Sequence, residues 1–150
     1  LDAVIDTRRR EGARIQALIL NRCATLGGIA ATTRRLMPEI IRNIRERYLQ
    51  RAREMDLQLD AERLEQEILL LVQKLDVAEE LDRLEAHVAE VQHVLDQEQP
   101  AGRRLDFLMQ ELNREANTLG SKAGSLESSN ACVDLKVLIE QIREQIQNVE

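Results

Sequence analysis

The stretch GRRLDFLMQELNREANTLGSK, residues 102–122, decides the reading of this chain. Leu105, Leu108 or Met109, Leu112, Ala116 and Leu119 recur at helical spacing, so one stripe of a helix is apolar. A second stripe carries Arg103, Asp106, Gln110, Asn113 and Asn117, and a third carries Arg104, Glu111, Glu115 and Lys122. A merely solvated face would be filled with interchangeable Glu and Lys. Asp and Asn are weaker helix formers, and the amides hydrogen-bond with fixed geometry. A helix that accepts them has polar contacts to make, either within the protein or with a ligand.

The flanking sequence is helical too. The 150 residues suit one domain, with 43% hydrophobic and 32% charged residues but a single Tyr, a single Phe and no Trp. That mixture, with six Gly and two Pro, points to an all-α protein of long helices with coiled-coil-like packing. No apolar run approaches the ~20 residues of a membrane span. There is no secretory signal pattern, and the first residue is Leu, which reads as a piece of a longer protein. Cys23 and Cys132 lie far apart inside apolar helical patterns, as suits buried, reduced thiols, and no CxxC-type spacing supports a disulfide or a metal site.

Charge divides the chain in two. Residues 1–56 carry 12 Lys and Arg against 7 Asp and Glu, a balance of +5, while residues 57–150 carry 9 against 20, a balance of −11. The expected organisation is a basic helical arm, 1–56, and an acidic helical bundle, 57–150, in one domain overall. In the arm, Val4, Ile15, Leu18, Ile19, Leu26 and Ile29 form an interrupted stripe. Gly27-Gly28 is the expected site of a close helix approach, and Pro38 is expected to kink, end or restart the helix. Ile40, Ile41, Ile44, Tyr48, Ala52 and Met55 continue the stripe, ringed by Arg42, Arg45, Arg47, Arg51 and Arg53. The basic face suits a polyanion, and its poverty in aromatics argues against membrane insertion.

Beyond the arm, Asp60 is a candidate start for a helix built on Leu64, Ile68, Leu71, Val72 and Leu75. Asp76 to Glu79 resembles a capping box opening the next helix, with Leu81, Leu84, Val88, Val91 and Leu95 facing inward. QEQPAG at 97–102 and the Gly- and Ser-rich stretch at 120–130 read as loops. The last helix is expected from about Ala131 to Asn148. Loops this short make neighbouring helices antiparallel. The long apolar stripe of the arm then favours an oligomer.

No nucleophile elbow, phosphate loop, zinc-finger spacing or dinucleotide-binding glycine pattern is present. The chemistry-bearing set is carboxylates with one histidine. Glu80 and His87 lie two turns apart on one stripe, Asp106, Glu111 and Glu115 lie on the central helix, and Glu67 lies on an earlier one. Brought together, such groups bind a divalent cation, Mg²⁺ or Mn²⁺ for carboxylates, with Mn²⁺ or Zn²⁺ favoured by the imidazole. The same groups serve equally as salt-bridge partners of Arg63, Arg83, Arg103, Arg104 and Arg114. The arginines also suit phosphate contacts.

Four segments resemble the C-terminal half of the YicC/YloC family: RLEQE (63–67), DVAEELDRLEAHV (76–88), the central stretch (102–122) and DLKVLIEQIREQIQNVE (134–150), and RRREGARIQALI (8–19) resembles the family's segment leading into that half. The resemblance covers essentially the whole chain and implies a cytoplasmic bacterial endoribonuclease, metal-dependent through Mn or Mg, that assembles as a hexamer around RNA. It also implies an N-terminal domain outside this sequence. On the matching positions, Glu80, His87 and Asp106 are expected to hold the metal, and Glu111 and Glu115 to join them as catalytic groups. Arg103, Arg104, Arg114 and Lys122 are expected to contact RNA phosphates. The alternative is a helical oligomerisation and RNA-binding module with no catalysis of its own.

Overall fold

Helix formation follows the apolar periodicity closely. A computed structural model describes residues 1–55, 61–97, 102–122 and 126–149. They form α1 (Asp2–Glu54), α2 (Ala61–Leu75), α3 (Ala78–Leu95), α4 (Gly102–Lys122) and α5 (Leu126–Val149). The described residues contain no strand, so the chain is all-α. None of these helices is long and apolar enough to cross a membrane.

Four helices share one core. α4 packs between α3 and α5, and α1 closes the ring by packing against both. Leu84 and Val91 of α3, Leu108 and Leu112 of α4, and Ile142 of α5 are essentially inaccessible to solvent. Two sets of contacts fix the helix directions. Gln16 Nε2 near the start of α1 donates to the Leu95 carbonyl at the end of α3 (2.8 Å), while Arg34 reaches Asp82 near the start of α3 (2.7 Å). On the other side of α3, Lys122 at the end of α4 pairs with Glu80, and Arg104 near its start pairs with Glu90 (3.5 Å). α3 is therefore antiparallel to both α1 and α4.

The expected basic arm is in its middle a full member of this bundle. Ile19, Cys23, Leu26, Ala30, Thr33, Met37 and Ile40 recur every third or fourth residue and are all buried. Burial pushes the Cys23 thiol up to about 11. The Thr33 hydroxyl satisfies itself on the Ile29 carbonyl at 2.8 Å. At 1.5 Å per residue, the 53 residues of α1 extend about 80 Å, against about 27 Å for the 18 residues of α3. Both ends of α1 must therefore overhang the bundle. At the first overhang Val4 and Ile5 are exposed; along the second lies α2. There Arg45 pairs with Glu65 at 2.8 Å, and the Tyr48 hydroxyl donates to Glu67 at 2.9 Å, which raises the phenol above its ordinary range. Ile68 of α2 is buried, whereas Leu69 and Leu70 are each 59% exposed.

Several local expectations change. α1 runs through Pro38 without ending or restarting. The local cost of a proline in a helix, about 3 kcal/mol, is offset by Met37 and Ile40 entering the core on either side. Gly27 and Gly28 admit no close helix, because a Cβ at either position would meet nothing within 4 Å. The Asp76 carboxylate does accept from the Ala78 N–H (3.0 Å), but Glu79 turns to Arg83 and leaves the capping box open. α5 begins at Leu126, five residues before the expected start. Asp60, residues 98–101 of the first loop and residues 123–125 of the second lie outside the described residues.

Glu80 is 4% exposed and forms an ion pair with Lys122. Its Oε1 takes the ammonium, and its buried Oε2 has no hydrogen-bond partner. Lys122→Met should therefore destabilise the fold by roughly 3 kcal/mol, because it leaves a buried carboxylate without its cation. Removing both charges with Glu80→Leu and Lys122→Met should recover most of that loss in urea unfolding. An unchanged midpoint for Lys122→Met alone would show the pair to be structurally idle. Gly28→Ala, in open helix interior, should raise stability by about 0.5–1 kcal/mol in the same assay.

Candidate functional site

Glu111 and Glu115 stand four residues apart on α4, so their carboxylates share one face. α3 runs antiparallel beside that face and brings His87 against it. One ligand atom from each of His87, Glu111 and Glu115 lies within 4.8 Å of the other two. Glu115 is 5% exposed, and the other two are half-buried. Among the described residues none of the three side chains forms a hydrogen bond or ion pair. Two carboxylates at i, i+4 repel one another, and burial sharpens the cost. A histidine nitrogen and two carboxylate oxygens converging this way have the donor chemistry of a divalent-cation site with coordination positions left open. The residues present therefore fit the metal that the resemblance implies.

The cluster opens into a groove of about 670 Å³ between α3 and α4. Arg83, Arg114 and Thr118 line it beside the carboxylates. Arg83 pairs with Glu79 on the solvent side. The groove thus sets a cluster with the donor chemistry for a cation beside two guanidinium groups, an arrangement suited to a phosphodiester.

Of the expected metal set, only His87 sits in this cluster. Glu80 lies seven residues earlier on α3, about 10 Å along the axis, and is engaged by Lys122. Asp106 precedes Glu111 by five residues, which rotates it about 140° around α4. It lines a separate groove against α5 with Gln110, Asn113 and Arg143. The geometry replaces Glu80 and Asp106 with Glu111 and Glu115 as companions of His87.

The expected phosphate-binding residues also divide. Arg114 lines the α3–α4 groove. Arg104 lies near its far end, 3.5 Å from Glu90 and with its guanidinium 5.9 Å from the Phe107 ring centroid. Arg103 is exposed on the outer ridge of α4. Lys122 is held by Glu80 and the Asp76 carbonyl, the latter at 3.4 Å. Arg83, absent from the expected phosphate contacts, belongs to the groove. The sequence signal for the cluster was the Glu111/Glu115 spacing itself. Identifying its third member required the register of α3 on α4.

Comparison with known proteins identifies the family. Residues 33–150 match the family described as "Endoribonuclease YicC-like, C-terminal". The chain is 49% identical over 146 residues to the "Probable endoribonuclease YicC" of Haemophilus influenzae, covering 97% of this chain and 51% of that protein. It is 33% identical over 155 aligned positions to the protein of the same name from Clostridioides difficile, covering 99% of this chain and 53% of that protein. The chain spans about half the length of these curated relatives. On these matches, the chain belongs to the endoribonuclease YicC-like family and corresponds to its C-terminal part.

Proposed function

We propose that this chain supplies the metal-binding half of an endoribonuclease that cuts phosphodiester bonds in single-stranded or structured RNA in the bacterial cytoplasm. The observation that carries the reading is the His87–Glu111–Glu115 cluster in a groove lined by two arginines. Those three residues hold a divalent cation, Mn²⁺ or Mg²⁺. When bound, the ion supplies charge stabilisation at the scissile phosphate and a water of lowered pKa. Arg83 and Arg114 grip the non-bridging phosphate oxygens and orient the strand along the groove. The buried position of Glu115 restricts motion of the ligands, so the site is assembled before RNA arrives.

Assembly into a homo-oligomer completes the proposal, with a hexamer expected from the family resemblance. Its support is the face of α2, where Leu69 and Leu70 are exposed side by side, and the overhanging start of α1 with Val4 and Ile5. Apolar surface placed on such extensions is buried economically by other copies of the same chain.

His87→Ala and Glu111→Gln should each abolish cleavage of a short structured RNA in Mn²⁺ by the full-length protein, while circular dichroism shows unchanged helix content. Calorimetric titration should show Mn²⁺ affinity falling by more than the roughly 10–100-fold typical of losing a supporting residue. Cleavage that survives both substitutions and is insensitive to chelator would place the chemistry elsewhere and leave this chain as a scaffold. Leu69→Ser with Leu70→Ser should shift sedimentation to smaller species with helix content retained. An unchanged sedimentation coefficient would remove α2 from the interface.

A further inference from the structure

The RNA reading uses one side of α4. The other side carries the amide stripe, and there α4 and α5 enclose a groove of about 270 Å³. Its floor is apolar, formed by Met109 and Ile139, each 2% exposed. Its walls hydrogen-bond. Asp106, Gln110 and Asn113 come from α4, and Arg143 and Gln147 from α5. Glu140 lies beside Arg143 at 3.7 Å. Among the described residues the side chains of Asp106, Gln110, Asn113 and Gln147 form no hydrogen bond or ion pair. Internal contacts therefore do not account for the weak helix formers at Asp106 and Asn113.

The groove is ill suited to phosphate, since two carboxylates outweigh one guanidinium. It is well suited to the edge of a nucleobase, a flat group whose donors and acceptors sit at fixed spacing. Guanine alone among the four bases offers two adjacent N–H donors, at N1 and N2, on one edge and two acceptors, O6 and N7, on the next. A carboxylate accepts the first pair, and a guanidinium or amide N–H group donates to the second. Asp106 on one wall and Arg143 on the other provide both, and the amides Gln110, Asn113 and Gln147 supplement either.

The two grooves flank the same helix, so they lie about one helix diameter apart, roughly 10 Å. That distance suits nearby nucleotides of a single strand crossing α4. The ridge between them bears exposed Arg103 and Arg114 and the half-exposed Phe107. We propose that the α4–α5 groove binds the base of an unpaired guanine in the RNA strand whose phosphate lies at the His87–Glu111–Glu115 cluster. The proposal rests on the RNA reading and gives it a base preference.

The test is fluorescence anisotropy with the full-length protein and short labelled oligouridylates, one carrying a single central guanosine. Wild type should bind the guanosine oligomer about tenfold or more tightly than the all-uridine one. Asp106→Asn and the double variant Gln110→Ala, Asn113→Ala should each reduce that ratio to near unity while leaving affinity for the all-uridine oligomer unchanged. Replacing the guanosine by inosine, which lacks the N2 amino group, should fall between the two. Equal wild-type binding of both oligomers overturns the proposal and leaves the RNA reading standing. A guanosine preference that survives both variants overturns it as well. Failure of wild type to bind either oligomer overturns the RNA reading and this proposal together.

Discussion

A carboxylate buried among apolar helices must be balanced by positive charge, and the α3–α4 seam contains two of them. Glu80 is balanced within the chain, by Lys122 reaching back from the end of α4. Glu115 has no such partner among the described residues, and its neighbours are Glu111 and His87. One seam therefore holds a closed ion pair at one end and an open ligand set two turns further along. The pair and the apolar core beneath it share one register of α4 along α3, and that register decides which α3 residue meets Glu111 and Glu115. A slip of one turn would set Arg83 or Val91 opposite the carboxylates in place of His87.

The rest of the bundle holds that seam in place from behind. α5 and the middle of α1 cover the faces of α4 and α3 that turn away from solvent. The spacing of Ile19, Cys23, Leu26, Ala30, Thr33, Met37 and Ile40 gives α1 a narrow buried stripe. Several of these are small side chains, which limits how much apolar surface α1 itself contributes. A helix nearly three times the length of α3 cannot be consumed by the bundle. Its ends, and the exposed leucines of α2 along one of them, are the parts of the molecule with unfinished packing.

The all-α architecture, the limits of α3 and the inward faces of α3 to α5 were legible in the sequence because large aliphatic residues marked them at strict helical spacing. The inward face of α1 was legible only in part: Ile19, Cys23, Leu26 and Ile40 are buried as expected, but Ala30 and Thr33 are buried too, while Leu18, which looked inward, is 39% exposed. Hydrophobicity alone misplaces a stripe built from small residues. The start of α5 was hidden for a related reason: Ser128, Ser129 and Asn130 belong to the Gly- and Ser-rich stretch that reads as a loop, yet they lie inside the helix. In the candidate site, residue types were legible and partnerships were not. Glu80 and His87 share a stripe of α3, but two turns of helix separate them, and only tertiary register shows that the carboxylates of α4 fall beside the second and the lysine beside the first.

That register also bears on the proposed RNA binding. In the α3–α4 groove Arg83 and Arg114 stand against Glu111 and Glu115, and Arg83 is further paired with Glu79, so carboxylates offset its guanidinium groups. A polyanion gains little by entering a balanced groove lined by carboxylates. A divalent cation at the proposed site would add two positive charges to the same groove and offset Glu111 and Glu115 there. The proposed ion would then do more than activate water. It would also make a carboxylate-lined groove attractive to phosphate, so the proposed strand would be held most strongly where the proposed site is loaded.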